Sequence, residues 1–290
     1  MTAARWRLSV GLVMALLLAC ALTAGPASAD SRQDQLDQAW SAYDSGDDAK
    51  ARALFEGLAG DGDPEAHYGL GLMDSQGRGA PRDDASAASH FSKAADAGIA
   101  AAQDALGYMY DFGLGLPLNR DVAEYWYRRA VDGGDLNAKN NLAYTWIDSG
   151  RNVDEALAML KDVLASAPEE AAYLDSYGWA LYQLGRYQEA LHYLCDAAAR
   201  DPGHPEVQAH LGDVFWKLGE SDQAVQQWAR AFELADRPGE LSDSGADFLN
   251  GYGLRNWKAD MTDRMNQAGG SPATAHMTQP PAVCSGAPVS

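Results

Sequence analysis

Basic residues are scarce in this chain: 22 Lys and Arg face 41 Asp and Glu, a net charge of −19. Affinity for phosphate backbones comes from Lys and Arg displacing counterions. No basic stretch is present to supply it, so nucleic acid and anionic lipid surfaces are poor partner classes. Cysteine is scarcer still. Cys20, Cys195 and Cys284 cannot build the disulfide framework on which small secreted domains depend. The six histidines are scattered. His192 and Cys195 share a helix face with His204 across a turn, short of the three or four well-spaced ligands zinc requires. Neither a metal nor another cofactor is expected. Long apolar runs are missing too, except at the N-terminus. The fold must therefore rest on a core drawn from the 47% of residues that are apolar.

The N-terminal exception reads as an export signal. Arg5 and Arg7 precede the apolar run Leu8 to Leu22, and Ala27-Ser28-Ala29 presents the small residues a signal peptidase accepts. Cleavage after Ala29 makes Asp30 the new N-terminus. The run is interrupted by Gly25 and Pro26 before it reaches a membrane span of about 20 residues. No transmembrane span is expected in the mature chain. The alternative is Leu17-Leu18-Ala19-Cys20, which resembles the lipobox of bacterial lipoproteins and would make Cys20 a lipidated anchor. Removing residues 1–29 takes away two Arg and no acid, leaving 20 basic against 41 acidic residues and a net charge of −21.

Internal repeats organise the rest of the chain. The run Ala66 to Met73 aligns without a gap to Ala102 to Met109, a shift of 36 residues. The register continues: Gly77, Gly79 and Pro81 match Gly113, Gly115 and Pro117, and Phe91 to Gly98 matches Tyr127 to Gly134. In the second copy Ala102, Ala105, Leu106 and Met109 form a helical stripe, the glycines interrupt it, and Ala123, Trp126, Tyr127 and Ala130 start another. Gly71 and Gly107 are small enough for close helix approach, and Phe91, Trp126 and Tyr127 are bulky enough to fill the layer between repeats. The unit resembles the Sel-one-like repeat family in its Ala-x-x-x-Leu-Gly-x-x-Tyr helix, Gly-x-Gly loop and Trp-Tyr-x-x-Ala-x-x-Gly second helix. Its first copy departs by carrying Ser89-His90-Phe91 where the family has an aromatic pair.

From Ala171 the period becomes 34: Gly178 maps to Gly212, Gly185 to Gly219, Ala190 to Ala224, Leu194 to Trp228 and Ala197 to Ala231. This spacing and the run Leu174 to Tyr187, closed by Asp201-Pro202, resemble the tetratricopeptide repeat. Ala39, Trp40, Ala42, Tyr43, Ala51, Phe55 and Leu58 resemble a further, N-terminal pair of that type. The resemblances imply an all-α, right-handed α-solenoid of about six antiparallel helix pairs between about residues 32 and 236. The expected order is signal peptide 1–29, tetratricopeptide-like pair 30–63, Sel-one-like repeats 64–150, tetratricopeptide repeats 151–236, capping segment 237–268 and disordered tail 269–290. In the capping segment Leu254, Trp257, Met261 and Met265 recur at helical spacing, a stripe that needs the exposed end of the last repeat to cover it. Cys195 falls in a helix and Cys284 in the tail, so a bridge is optional and burial of Cys195 as a free thiol is expected.

Catalytic patterns do not emerge. Gly77 to Gly79 and Gly113 to Gly115 lie between helices, where glycine serves a turn, rather than after a strand as a phosphate loop requires. Asp61-Gly62-Asp63 lacks the ordered oxygens and distal Glu of a calcium loop and reads as a solvated turn. The remaining signal is aromatic. Counted from Gly178 and Gly212, Trp179, Tyr182 and Trp216 project from the first helix of each pair, with Asp175, Gln183, Asp213 and Lys217 on the same face. In tetratricopeptide arrays that face is concave and grips peptides, so these seven residues are the candidate partner-binding set, the alternative being that the tryptophans pack between pairs. The resemblance implies a non-catalytic protein–protein interaction scaffold or adaptor of the bacterial cell envelope; the alternatives are an accessory subunit of an exported enzyme or, less favoured, a hydrolase.

Overall fold

The computed structural model describes residues 26–236 and 254–269 together with residue 284. Among the described residues are thirteen helices and no strand. Twelve form consecutive pairs: α1 (Pro26–Asp44) with α2 (Asp48–Gly60), α3 (Pro64–Gln76) with α4 (Asp84–Asp96), and α5 (Ala100–Phe112) with α6 (Arg120–Asp132). They continue as α7 (Leu136–Asp148) with α8 (Val153–Ser166), α9 (Ala171–Gln183) with α10 (Tyr187–Arg200), and α11 (Pro205–Leu218) with α12 (Ser221–Asp236). The last helix is α13 (Leu254–Gln267). Cys20, the export signal up to residue 25 and most of the tail lie outside the described residues, while Ala29 and Asp30 fall within α1.

Contacts divide the chain into two compact units, Met1–Ile99 and Ala100–Ser290. The division falls between α4 and α5, inside the stretch united by the 36-residue period. In the first unit Leu36, Phe55, Leu58, Leu70 and Met73 form the core of α1 to α3. Part of the acidic excess has a local purpose. Asp47, Asp63, Asp83 and Asp135 each begin a helix and accept a hydrogen bond from a backbone N–H of its first turn. Asp63 corrects the solvated-turn expectation: it is 2% exposed. Its carboxylate accepts from the Ala66 N–H at 3.0 Å and pairs with Arg32, so the cap buries it. The Gly-x-Gly loops do act as turns, with φ of 69° at Gly77, 72° at Gly79, 70° at Gly113 and 62° at Gly115.

Four of the six pairs close on one contact. A glycine of the first helix lies beneath a large side chain of the second: Gly71 under Phe91, Gly107 under Tyr127, Gly178 under Leu194 and Gly212 under Trp228. The large residues occupy equivalent positions of their repeats, so the two periods encode the same close packing of the pair. Trp126, expected in the layer between repeats, is only half-buried. Tyr127 takes the buried place over Gly107, Tyr125 is exposed, and Arg129 lies over the Tyr125 and Trp126 rings.

Helix α13 packs against α12, and its Met261 and Met265 join the apolar cluster that holds Trp228 and Phe215. It is the cap that the end of the array required. The reading of Cys195 as a buried free thiol is corrected. Its sulfur is bonded to that of Cys284, 89 residues along the chain, with a Cα–Cα distance of 5.2 Å. Residue 284 of the expected loose tail is thereby fastened to α10.

Candidate partner-binding face

In the second unit successive first helices touch: α5 meets α7, α7 meets α9, and α9 meets α11. Polar side chains from different pairs can therefore converge. Asp175 of α9 and His210 of α11, each 5% exposed, meet with Nδ1 at 3.0 and 3.1 Å from the two carboxylate oxygens. One turn before His210, Glu206 places Oε1 3.9 Å from its Nε2 and accepts a 2.7 Å hydrogen bond from the Tyr144 hydroxyl of α7. Three first helices are thus joined by one polar chain, buried at Asp175 and His210 and half-buried at Glu206 and Tyr144.

Rings cover it. Trp179 stacks on the His210 imidazole with centroids 4.1 Å apart and on Tyr182 at 4.7 Å. Its Nε1 is buried and has no hydrogen-bond partner among the described residues. Asp213, also buried, accepts from Trp228 Nε1 at 3.0 Å and pairs with Arg264 of α13. Burial, then the Asp213 and Tyr187 charges, push the Tyr182 phenol up to about 12, and the positive charge of Arg264 works against that rise.

Of the seven residues picked from the sequence, Asp175 and Asp213 lie in the floor, held by partners within the chain. Trp179 and Tyr182 are half-buried above them. Gln183, Trp216 and Lys217 are exposed, Trp216 to 39%, with its ring tilted against buried Trp228. The residues missed are Tyr144, Glu206 and His210. A signal for two of them existed, since Glu206 and His210 are four apart on one helix face. Their link to Asp175 had none, because 35 residues is one more than the repeat period. Cys195, considered with His192 and His204, is bonded to Cys284.

Burial by itself works against a charged His210, but Asp175, then Glu206 and Asp213, outweigh it and push its pKa up to about 9. A folded pKa above the ordinary 6.5 means that the stabilisation is present in full below pH 6.5 and is lost as pH rises through about 9. Glu206 is itself held above its ordinary value by burial, with His210 drawing it down. Urea unfolding should show stability falling between about pH 6.5 and 9, and His210→Gln should flatten that fall. An unchanged slope in the variant would place the titrating group elsewhere.

Toward α5 the same layer is acidic. Burial, then Asp135, push Asp104 up to about 7, and the compensation is a 3.0 Å hydrogen bond from Asn141 Nδ2. Asp111 is raised as well by burial, offset by the Thr145 hydroxyl and Arg120.

Comparison with known families decides what the pairs α3–α4, α5–α6, α9–α10 and α11–α12 are. The Sel1 repeat model matches residues 64–99 and 100–135, and the tetratricopeptide repeat model matches 148–205 and 178–243. Residues 64–135 are Sel1 repeats, and residues 148–243 are tetratricopeptide repeats. The TPR repeat-containing protein PA4667 of Pseudomonas aeruginosa is 39% identical over 70 residues, 24% of this chain and 12% of that protein. The TPR repeat-containing thioredoxin TTL4 of Arabidopsis thaliana is 32% identical over 73 residues, 25% of this chain and 11% of that protein. The chain thus spans a small part of either relative. Among solved structures, a Sel1 repeat protein from Oxalobacter formigenes superposes with a TM-score of 0.50 at 22% identity, covering 79% of this chain and 99% of that one. The protein c5321, titled a protective antigen of uropathogenic Escherichia coli with an SLR fold, gives 0.56 at 24% identity over 81% of this chain and 57% of its own. These two likenesses concern the fold. Sel1 and tetratricopeptide repeats generally serve as protein-interaction scaffolds and are typically non-enzymatic. The candidate face belongs to the tetratricopeptide part, apart from Tyr144, which precedes the matched residues.

Proposed function

We propose that this protein is a non-catalytic scaffold or adaptor of the bacterial cell envelope, exported from the cytoplasm, that grips a polypeptide on the first-helix face of its tetratricopeptide repeats. One observation carries the reading. Exposed Gln183 lies on α9 and exposed Trp216 and Lys217 on α11, the two first helices that the Asp175–His210 contact and the Trp179 stack already join, so a partner meets side chains held by preformed contacts beneath. The partner favoured is cationic. The net charge of −19 attracts a basic polypeptide over long range and raises its rate of encounter. The excess of 41 acidic over 22 basic residues also disfavours nucleic acid. The Cys195–Cys284 bridge supports export, because disulfides persist in oxidising compartments. Among the described residues no helix is long and apolar enough to cross a membrane.

A photo-crosslinking side chain at Lys217, in the living cell, should trap a polypeptide, whereas the same group at Tyr125 on α6 should not. Trp216→Ala should lower the yield at least about tenfold with helix content unchanged, since a buried aromatic anchor is worth about 2 kcal/mol or more. Equal trapping from both positions, or a yield indifferent to Trp216, would sink this assignment.

A further inference from the structure

The C-terminal helix reaches into the partner-binding face. Arg264 of α13 pairs with Asp213, whose side chain is 9% exposed, and its charge is felt at Tyr182. Met261 and Met265, three residues before and one after Arg264, are buried in the cluster of Trp228. Helix α13 therefore presents two apolar anchors and a guanidinium on neighbouring positions, the chemistry an acidic and aromatic surface would accept from a partner. A 14-residue helix is marginal by itself. It is held from both sides. The chain joins it to α12, and after it Cys284 is bonded to Cys195 of α10.

We infer that α13 is a built-in occupant of one end of the partner-binding face, latched there by the Cys195–Cys284 disulfide and released when that bond is reduced. The inference rests on the reading of this face as the binding site, and it names the competing partner by chemistry: an amphipathic helix with apolar residues at i and i+4 and an arginine at i+3. A dithiol reductant would open the latch. One of its thiolates attacks a sulfur of the bridge, its second thiol resolves the mixed disulfide, and two electrons and two protons pass to Cys195 and Cys284 while the reductant leaves as its own disulfide. With the bond intact the helix is tethered at both ends and is at high local concentration on its site; with one tether lost an external helix competes more easily.

The test uses the full chain. Hydrogen exchange of α13 should be slow in the oxidised protein and at least about tenfold faster after reduction or in Cys284→Ser, while α9 to α12 stay protected. Retained protection of α13 after reduction would overturn the latch, and loss of protection in α12 together with α13 would make the bridge a general staple of the repeats. A labelled synthetic peptide of residues 254–267 should bind Cys284→Ser/Arg264→Ala at least about tenfold more tightly than it binds the oxidised chain. Adding Asp213→Asn should abolish that gain. Equal binding to both chains would refute occupancy of the face. These readouts stand apart from crosslinking at Lys217: α13 can open while crosslinking fails, which would retain the latch and reject the proposed partner site.

Discussion

Replacing Asp175 by Ala is expected to lower the unfolding free energy by about 3–5 kcal/mol, the range for removing one member of a buried ion pair. The carboxylate takes both short contacts of His210 Nδ1, and both residues are removed from water. Without it the imidazolium keeps Glu206 at 3.9 Å and the charge of Asp213, while burial continues to favour its neutral form. The ring must either lose its proton or draw water into the contact, and the Trp179 stack above it loses its support. Urea denaturation of Asp175→Ala at pH 6.5 measures the loss. His210→Leu in the same background should recover part of it, because replacing both partners by apolar groups removes the stranded charge. A loss below about 1 kcal/mol would show that the pair is solvated and that the floor is not preformed.

Gly212→Ala is expected to cost about 3 kcal/mol, through overpacking and a broken hydrogen bond together. A Cβ there would stand 2.3 Å from Cδ1 and 2.4 Å from Nε1 of Trp228. The indole is rigid, lies in the cluster that also holds Met261 and Met265, and donates to Asp213 at 3.0 Å. Displacing it strains the pair and leaves a buried carboxylate with one donor fewer. Gly57→Ala is the control. Nothing lies within 4 Å of the added carbon at this interior position of α2, so the exchange should stabilise by up to about 1 kcal/mol through helix propensity. Thermal unfolding of the two variants separates the effects, and similar melting temperatures would mean that the glycine of the pair is not a packing requirement.

The helix pairs were legible from residue order because each is a local object. Gly107 and Tyr127, or Gly212 and Trp228, lie less than one repeat apart, and apolar periodicity with glycine at the contact is enough to specify their packing. The aromatic positions of the face were legible for the same reason, since Trp179, Tyr182 and Trp216 emerge from counting along one helix. Their environment was not. Whether an acid on a first helix points to water or to a neighbour depends on the register between pairs, and the period is silent on this.

Residue order by itself determined the all-α class, the two repeat types and the pairs from α1 to α12, because burying a stripe of small and large apolar residues at 3.6-residue spacing leaves few other solutions. Tertiary structure alone decided that Asp175 meets His210, that Tyr144 reaches Glu206 across 62 residues, that Arg264 meets Asp213 across 51, and that Cys284 returns to Cys195 across 89. Each of these joins groups whose separation matches neither repeat period. Polar and sulfur contacts need ångström-level placement that comes only from the stacking of whole pairs, whereas apolar burial needs only the correct face.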